Sequence, residues 1–339
     1  MRPTDFAKSL TDFLTGYLPG ERGASKNTIA SYRDTFILFL AFLTERKGIS
    51  AERLTLNQIT KDIVGEFLGW LEKERRCCAA TRNVRLAALH SFFRYLQYRN
   101  PENLAEWQHI LSIPVKRTEK PTINYLPIAG IRLLLEGPDQ STRNGRRDLA
   151  LLSLMYDSGA RVQEMIDLIP SMVRVNPPCT VKLIGKGNKA RIVPLLEQQV
   201  KFLRIYMMEY KLLEPYANRY PLFSNSRQEK LTRAGVNYIL TKYANQARAK
   251  DPALIPEKLS CHGLRHSKAM HLLQSGVNLV YIRDILGHSS VQITEIYART
   301  DSHQKREAIE QAYSDVSPKE APPWLTNEGL LSWLKSFNQ

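Results

Sequence analysis

The sequence predicts a mainly α-helical protein that carries one small antiparallel β-sheet and folds as two domains. Apolar residues recur with the 3.6-residue period of amphipathic helices through most of the 339 residues. Two β-type segments, residues 180–184 and 190–195, interrupt that pattern and flank a glycine-bearing turn, which predicts a hairpin. Residues 112–124 are polar, basic and contain two prolines, a composition typical of a linker, and the chain is longer than a usual single core.

The first ~112 residues are expected to be entirely helical, with four amphipathic segments in succession. The first is predicted to end before Pro19, and Ser25 and Thr60 are predicted to cap the second and third helices. The fourth runs from about Ala80 to Tyr98. The inward positions are predicted to be Phe6, Leu10, Phe13, Leu14 and Leu18, then Ile29, Tyr32, Phe36, Ile37, Leu40 and Leu43, then Ile63, Val64, Phe67, Leu68 and Leu71, and finally Val84, Leu89, Phe92, Phe93 and Leu96.

Basic side chains accompany this apolar pattern. Lys26 and Arg33 are expected on the outer face of the second helix, and Arg82 and Arg85 are expected to project together from the first turns of the fourth. Each alone is typical of a solvated surface. Together on one helical bundle they favour a side that faces DNA.

The charge of the whole chain agrees with such a partner. The formal net charge is +15 and the pI about 9.6, which favours a polyanion. No apolar run approaches the ~20 residues of a spanning helix, and the first residues contain no signal-peptide core. Four cysteines form neither a disulfide framework nor a paired metal motif. These features predict a soluble protein of the cytoplasm that does not engage a membrane.

Beyond the linker, two helices are expected over residues 126–136 and 147–157, the second nearly continuous in apolar residues and therefore central. Arg161 follows at the start of a further helix, where a guanidinium and free backbone N–H groups together make an anion site. An ion pair between Arg161 and nearby Glu164 or Asp167 is an equally good interpretation.

The predicted hairpin carries Lys186 and Lys189 at its tip. The Gly-Lys-Gly sequence there resembles part of a phosphate loop, but such a loop needs a following helix, and here a strand follows. Helices are then expected over residues 197–212 and, capped by Thr232, over 233–248.

The most chemically specific stretch runs from Cys261 to Arg299. His262 and Arg265 share one helical face, and His288 directly follows a helix-ending glycine. Tyr297 lies nine residues further on. A tyrosine is a poor nucleophile near its unperturbed pKa of about 10, so this grouping indicates a target with cations around it. A phosphodiester is such a target. His90 and His271, by contrast, lie among apolar neighbours and are predicted to be core or boundary residues.

Five motifs in register resemble the tyrosine recombinase (integrase) family. They are SGARVQE at 158–164, GKGNKAR at 185–191, HGLRH at 262–266, LGHSS at 286–290 and IYAR at 296–299. The resemblance implies a helical, SAM-like core-binding domain followed by an α+β catalytic domain. It implies domain limits of 1–112, a linker at 113–124, a catalytic domain at 125–316 and a tail at 317–339.

The resemblance also implies roles for individual residues. Tyr297 would be the nucleophile, and His262 would accept or manage its proton. Glu164 would support Arg161 without contacting the phosphate. Lys186 would assist the leaving group, with Lys189 as its rival. The groups expected around the scissile phosphate are Arg161, His262, Arg265 and His288. DNA contacts are expected from Lys26, Arg33, Arg82, Arg85, Lys189, Arg191 and Arg233. Neither a metal nor another cofactor is implied.

The implied partner is double-stranded DNA with a specific recombination site, bound by a tetramer that accessory proteins can assist. The implied location is the prokaryotic nucleoid. We expect integration, excision or transposition of a mobile element, with Xer-type chromosome-dimer resolution as the alternative. The tail contains an apolar helical face that is predicted to pass to a neighbouring protomer or to fold back on its own domain.

Two interpretations from other classes remain. The histidines of HGLRH have the i, i+4 spacing of a zinc helix, so a zinc-dependent hydrolase is one alternative, although the usual glutamate after the first histidine is Gly263. A DNA-binding regulator with an idle site is the other, and the complete set of polar residues argues against it.

Overall fold

The computed structural model describes residues 3–118, 124–300 and 334–335. The chain forms two compact units, residues 1–121 and 122–339, which are treated separately below. The predicted tail helix, apart from two residues, and the predicted boundary at 316 lie outside the described residues. No helix in the described ranges is long and apolar enough to cross a membrane.

The first unit is helical throughout, as predicted. Helix α1 continues directly into a π-helix, and 3₁₀ turns at Leu56–Gln58 and Pro101–Asn103 join later helices. The elements are α1 (Asp5–Asp12), the π-helix (Phe13–Glu21), α2 (Lys26–Lys47), α3 (Lys61–Lys73), α4 (Ala79–Arg99) and α5 (Leu104–Leu111).

Side-chain caps and a core of aromatic rings explain this unit. The hydroxyls of Ser25 and Thr60 accept from backbone N–H groups three residues on, so both predicted caps are confirmed. Phe13 lies at the centre of the core, and its ring contacts those of Phe36 and Phe92 at 6.4 and 5.2 Å between centroids.

Some expectations for this unit are wrong, and one helix was not predicted. The first helix does not end before Pro19, because the π-helix runs through it and its wider turns tolerate the missing N–H. Ile37 and Val84 are 57% and 51% exposed rather than buried, since each lies at the edge of its helix's apolar stripe. Helix α5, which the sequence pattern did not single out, contributes the buried Trp107.

The second unit is built from eight helices and one sheet in the described part of the chain. The helices are α6 (Ile128–Leu135), α7 (Arg143–Ser158), α8 (Val162–Ile166), α9 (Glu197–Glu209), α10 (Arg233–Lys250), α11 (Cys261–Gln274), α12 (Leu279–Leu286) and α13 (Val291–Thr300). The strands are β1 (Val173–Arg174), β2 (Thr180–Ile184) and β3 (Ala190–Pro194).

The predicted hairpin is confirmed as β2 and β3, which pair antiparallel with Val181 opposite Val193. The short strand β1 adds a third member to the sheet, in the order β1-β2-β3, and was not predicted. At the hairpin tip Gly187 has φ +74° and Asn188 φ +59°, so the turn uses residues that tolerate the left-handed region. Helix α7 is buried along most of its length, as its continuous apolar pattern predicted.

Candidate active site

Arg161 is the N-cap of α8, just after the left-handed residue Gly159 that ends α7. Its backbone N–H and its Nη1 donate to the two carboxylate oxygens of Glu164, at 2.9 and 2.8 Å. Its Nη2 donates to the carbonyl of Gly287 at 3.2 Å. The predicted ion pair therefore exists with Glu164, and the arginine side chain still remains 35% exposed to receive an anion.

Glu164 is shared between two arginines. Arg191, on β3, donates through Nη1 and Nη2 to the same carboxylate at 2.9 and 2.7 Å, and through Nε to the carbonyl of Ile285 at 2.8 Å. Burial raises the pKa of Glu164, but the hydrogen bonds from Arg191 and Arg161 outweigh it and hold the pKa below its ordinary value. The carboxylate thus fixes one guanidinium on the helix side and another on the sheet side.

Arg265 lies deeper, with 1% of its surface exposed. Its Nη1 and Nη2 donate to the carbonyls of Gly159 and Leu286 at 2.7 and 2.6 Å, which are the carboxyl ends of α7 and α12. Its buried Nε has no hydrogen-bond partner among the described residues. Burial and the neighbouring charge of Arg161 lower its pKa to about 10, so it stays protonated at neutral pH.

Gly287 controls the approach of α12 to these arginines. It has φ +63°, in the left-handed region, and ends α12 as predicted. A Cβ added there would lie 2.8 Å from Nη1 of Arg191. The position therefore needs glycine for its backbone conformation and for the space that Arg191 occupies.

Tyr297, on α13, is 3% exposed. Its hydroxyl lies 2.8 Å from Nδ1 of His266, and its ring is nearly parallel to that of His288 at 6.3 Å between centroids. Burial raises the pKa of the phenol, and the charges of Arg265 and Arg161 partly oppose that rise. The nucleophile predicted from the sequence is thus a buried phenol held by a histidine.

The histidine that holds it was not among the predicted site residues. The sequence pattern suggested that His262 would manage the phenol proton, yet the contact is made by His266, one turn later on α11. His262 is exposed, and its ring lies 4.4 Å from that of His266 between centroids. The signal was present in the i, i+4 spacing of HGLRH, which places both imidazoles on one face.

His288 directly follows Gly287. Its Nδ1 lies 2.9 Å from the hydroxyl of Thr294, which is fully buried. Burial, together with the charges of Arg265 and Arg161, lowers the pKa of His288 to about 4, so its ring is neutral near pH 7. In the tautomer in which the threonine hydroxyl donates to Nδ1, Nε2 carries the hydrogen and can donate.

The arginines, His262 and His288 border a cleft of about 740 Å³ in the second unit. Its lining includes Arg161, Lys189, Arg191, His262, Arg265 and His288. Lys189 is exposed there, while Lys186 occupies the hairpin turn and its side chain lies outside the described residues. Within the described part of the chain, Tyr297 does not line this cleft.

The other predicted DNA contacts are placed in several ways. Lys26 and Arg33 are exposed, and Arg33 pairs with Asp34. The outward projection expected of Arg82 is wrong, because it is 7% exposed and donates to the carbonyl of Pro114. Arg85 donates to the carbonyl of Ser31 and the hydroxyl of Thr35. In the second unit, Arg191 is turned inward on Glu164, and Arg233 donates to Gln163 beside α8.

The zinc interpretation needs a set of ligands. In residues 3–118 and 124–300 no group of three His, Cys, Asp or Glu side chains is placed to hold a metal ion. Burial raises the pKa of Cys261, which adjoins His262, to about 11, so its thiolate is disfavoured.

A family profile described as "Phage integrase family" matches residues 129–304, just over half of the chain, and spans the whole cleft. The chain belongs to this family. The profile "Phage integrase, N-terminal SAM-like domain" also matches, over residues 11–100. The family predicted from the five motifs is therefore confirmed, and so is the fold class.

Named relatives of this phage integrase family member cover nearly its full length. It is 35% identical over 98% of both chains to a Sinorhizobium fredii protein named "Putative integrase/recombinase y4rC". It is 30% identical to the tyrosine recombinase XerD of Listeria monocytogenes, over 91% of this chain and 98% of that one. Tyrosine recombinase chemistry and site-specific recombination are thus the activity of this phage integrase family member.

Solved structures agree with that assignment. The XerH site-specific recombinase bound to difH substrate, in a pre-cleavage complex, aligns with a TM-score of 0.66 and 25% identity over 88% of this chain and 84% of that one. The Tn1549 transposon integrase in complex with transposon right end DNA aligns with a TM-score of 0.67 over 90% and 99%, and at 13% identity it shows the shared fold of the phage integrase family.

Proposed function

We propose that the protein cuts and rejoins DNA strands by attack of Tyr297 on a backbone phosphate. The observation that carries this proposal is the convergence of one phenol with two arginines and three imidazoles, drawn from residues 161 to 297. The two arginines, His262 and His288 line one cleft, and the buried Tyr297 contacts His266. Net positive charge in such a place stabilises the charge that develops on a phosphate during substitution.

Each arginine offers that stabilisation differently. Arg161 is fixed by Glu164 and Gly287 and is still partly exposed to the cleft. Arg265 supplies a buried positive charge, and its Nε is a donor that no described protein group uses. Together they can neutralise the nonbridging oxygens through fixed N–H donors, without reorganisation at the moment of reaction.

The product is a 3′-phosphotyrosyl linkage and a free 5′-hydroxyl. The linkage conserves the energy of the phosphodiester, so a second 5′-hydroxyl reverses the step on a partner strand and the reaction consumes no nucleotide. His288 donates to a nonbridging oxygen through Nε2, and the exposed His262, which also lines the cleft, contacts the phosphate.

The leaving 5′ oxygen needs a proton. Lys186 is assigned this role from its position at the hairpin tip, and Lys189, which lines the cleft, is the alternative. A 5′-bridging phosphorothiolate, whose sulfur leaves without a proton, separates them. Cleavage should be restored in Lys186→Ala and not in Lys189→Ala, and the opposite pattern assigns the role to Lys189.

The substrate is double-stranded DNA with a specific recombination site, bound by a tetramer at two sites in the nucleoid. Mobile-element integration or excision is the role that we favour, because the relative with 35% identity and end-to-end coverage is named an integrase/recombinase. Chromosome-dimer resolution is the second candidate, since XerD relatives share 30% identity. The test uses the cloned gene together with its flanking DNA. Excision of an element from that DNA supports the first role, and resolution of dimeric chromosomes supports the second.

The nucleophile is tested by Tyr297→Phe on a nicked suicide substrate that traps the covalent complex. The change removes one buried oxygen, so DNA binding should persist while the protein–DNA adduct disappears from denaturing gels. An adduct that survives in the variant excludes Tyr297. Binding is measured in parallel by mobility shift, which separates loss of chemistry from loss of folding.

A further inference from the structure

The proton of Tyr297 needs an acceptor when its oxygen attacks phosphorus. In this structure the hydroxyl lies 2.8 Å from Nδ1 of His266, within the reach of direct proton transfer. The other imidazoles are placed differently, since Nδ1 of His288 is occupied by Thr294 and His262 faces the cleft. The phenol therefore has a specific base candidate already in contact.

We propose that His266 is the base that takes the proton from Tyr297 during cleavage and returns it during rejoining. The assignment rests on Tyr297 being the nucleophile. It makes His266 a catalytic residue, because its Nδ1 touches the reacting oxygen.

The step balances with groups that are present. In cleavage the Oη–H bond breaks and its proton moves to Nδ1, the Oη lone pair forms the bond to phosphorus, and the bond to the 5′ oxygen breaks as that oxygen takes a proton from the hairpin lysine. In rejoining, a 5′-hydroxyl attacks and gives its proton back to that lysine, the Oη–P bond breaks, and Nδ1–H of the imidazolium returns its proton to Oη. One residue thus acts as base in one direction and as acid in the other.

The surroundings of His266 make its basicity depend on the substrate. Burial lowers its pKa to about 4, and His262 and Arg265 on its own helix add to the lowering. From α13, the group that faces it is the neutral hydroxyl of Tyr297. A phosphate anion in the cleft offsets the charge of Arg265 and so raises the pKa of His266. His266 is therefore a weak base in the free protein, where the phenol stays protonated. It becomes a stronger base when DNA is bound.

A purely positioning role is the competing explanation, and the same helix contains an example of one. His271, five residues later on α11, has its Nδ1 2.9 Å from the hydroxyl of Tyr156. Both histidines lie on α11, and each contacts a tyrosine of another helix. His266 contacts Tyr297 of α13, and His271 contacts Tyr156 of α7. His271, however, does not border the cleft. It is a matched control for the loss of a tyrosine–histidine hydrogen bond.

The test compares His266→Ala, His266→Asn and His271→Ala in single-turnover cleavage of a suicide substrate. The asparagine amide oxygen can occupy the place of Nδ1 and accept from the phenol, but it cannot take its proton. Cleavage should fall by about 100-fold or more in both His266 variants, as for loss of a general base. It should stay within about threefold of the parent in His271→Ala. Mobility shifts and thermal melts establish that each variant folds and binds the site.

A wild-type rate in His266→Asn would show that the residue only positions Tyr297 and would overturn the proposal. Equal losses in the His266 and His271 variants would overturn it too, since a structural effect would explain both. Replacement of Tyr297 by a fluorinated tyrosine adds a second readout. A more acidic phenol needs its base less, so the defect of His266→Ala should shrink. An unchanged defect contradicts the assignment. Whichever result the His266 variants give, loss of the adduct in Tyr297→Phe identifies the nucleophile independently.

Discussion

Two carboxylates in the second unit are each held between two arginines, and they lie at different depths. Glu164 receives Arg161 and Arg191 with 3% of its side chain exposed. Glu209, at the end of α9, receives Arg143 and Arg146 from the start of α7 with 20% exposed. The charges match. The arginines of the first cluster line the cleft in which we propose the chemistry, whereas the second cluster joins two helices at the surface.

The comparison shows that two properties decide how much a charged cluster matters to the fold and to the cleft. They are the burial of the carboxylate and the elements that its arginines come from. Water screens the pairs at Glu209, so they add little to folding beyond the α7–α9 contact. At Glu164 the carboxylate is buried, and its second guanidinium, that of Arg191, belongs to the sheet. Breaking the buried cluster would leave uncompensated positive charges next to Arg265, one of whose donors already lacks a partner among the described residues.

The largest effect is expected from Glu164→Gln. The amide cannot balance two guanidinium groups, so the unit should lose about 3–5 kcal/mol of unfolding free energy. Arg161 should also lose its fixed orientation, and cleavage should fall by about 100-fold. Urea unfolding and single-turnover cleavage measure the two effects. A variant with parental stability and a cleavage rate within threefold would show that Glu164 does not organise the site.

A smaller effect is expected from a substitution next to the Glu164 cluster that displaces Arg191. Gly287→Ala places a Cβ against Arg191, whereas Gly276→Ala meets no atom within 4 Å, although both glycines have positive φ. Backbone strain of about 1–2 kcal/mol is therefore common to both variants. Only Gly287→Ala should also slow cleavage, because Arg191 must shift on Glu164. Equal cleavage rates in the two variants would remove Arg191 from the organisation of the cleft.

Acid should weaken both clusters. The pKa of Glu164 lies below its ordinary value despite burial, and that of Glu209 is lowered mainly by the hydrogen bond from Arg146. A lowered folded-state pKa contributes stability above the unfolded value of about 4.3, and that stability is lost as the pH falls through the folded-state pKa. The urea midpoint of the parent should therefore fall from pH 6 to 3, and the fall should be smaller in Glu164→Gln and in Glu209→Gln. A variant whose midpoint depends on pH as that of the parent does would show that its carboxylate adds nothing to the acid dependence.

The smallest effect is expected from Glu209→Gln itself. Its arginine partners are partly exposed, one of them at 65%, so the melting temperature should change by about 2 °C or less. Cleavage of a suicide substrate should remain at the parental rate. A loss of cleavage comparable to that of Glu164→Gln would show that the surface cluster communicates with the cleft.

The sequence predicted what depends on local pattern. Helix periods, the caps at Ser25 and Thr60, the hairpin and the left-handed end at Gly287 follow from short-range rules. The motifs also identified the residues that the structure gathers around the cleft, because their spacing places them at helix starts and ends. Their catalytic roles stay predictions.

What the sequence missed depends on contacts between distant segments. Arg191 reaches Glu164 only because β3 lies beside α8, and its 27-residue separation gives no local signal. Arg82 is drawn inward by the carbonyl of Pro114, 32 residues away. The contact between His266 and Tyr297 was missed for another reason. The i, i+4 spacing of the two histidines fits a zinc helix as well as a tyrosine contact, and only the position of α13 distinguishes the two.

The carbonyl ends of α7 and α12 that hold Arg265 have a consequence for how DNA meets the protein. A guanidinium leaves water at a cost, and here that cost is incurred while the chain folds, because Gly159 and Leu286 already supply acceptors in the free protein. In the proposed reaction, the phosphate therefore meets an ordered, largely desolvated cation rather than one that must first be stripped of water and immobilised. On that proposal, the arginines of a preorganised cleft contribute to the rate of reaction without a matching entropic loss on binding.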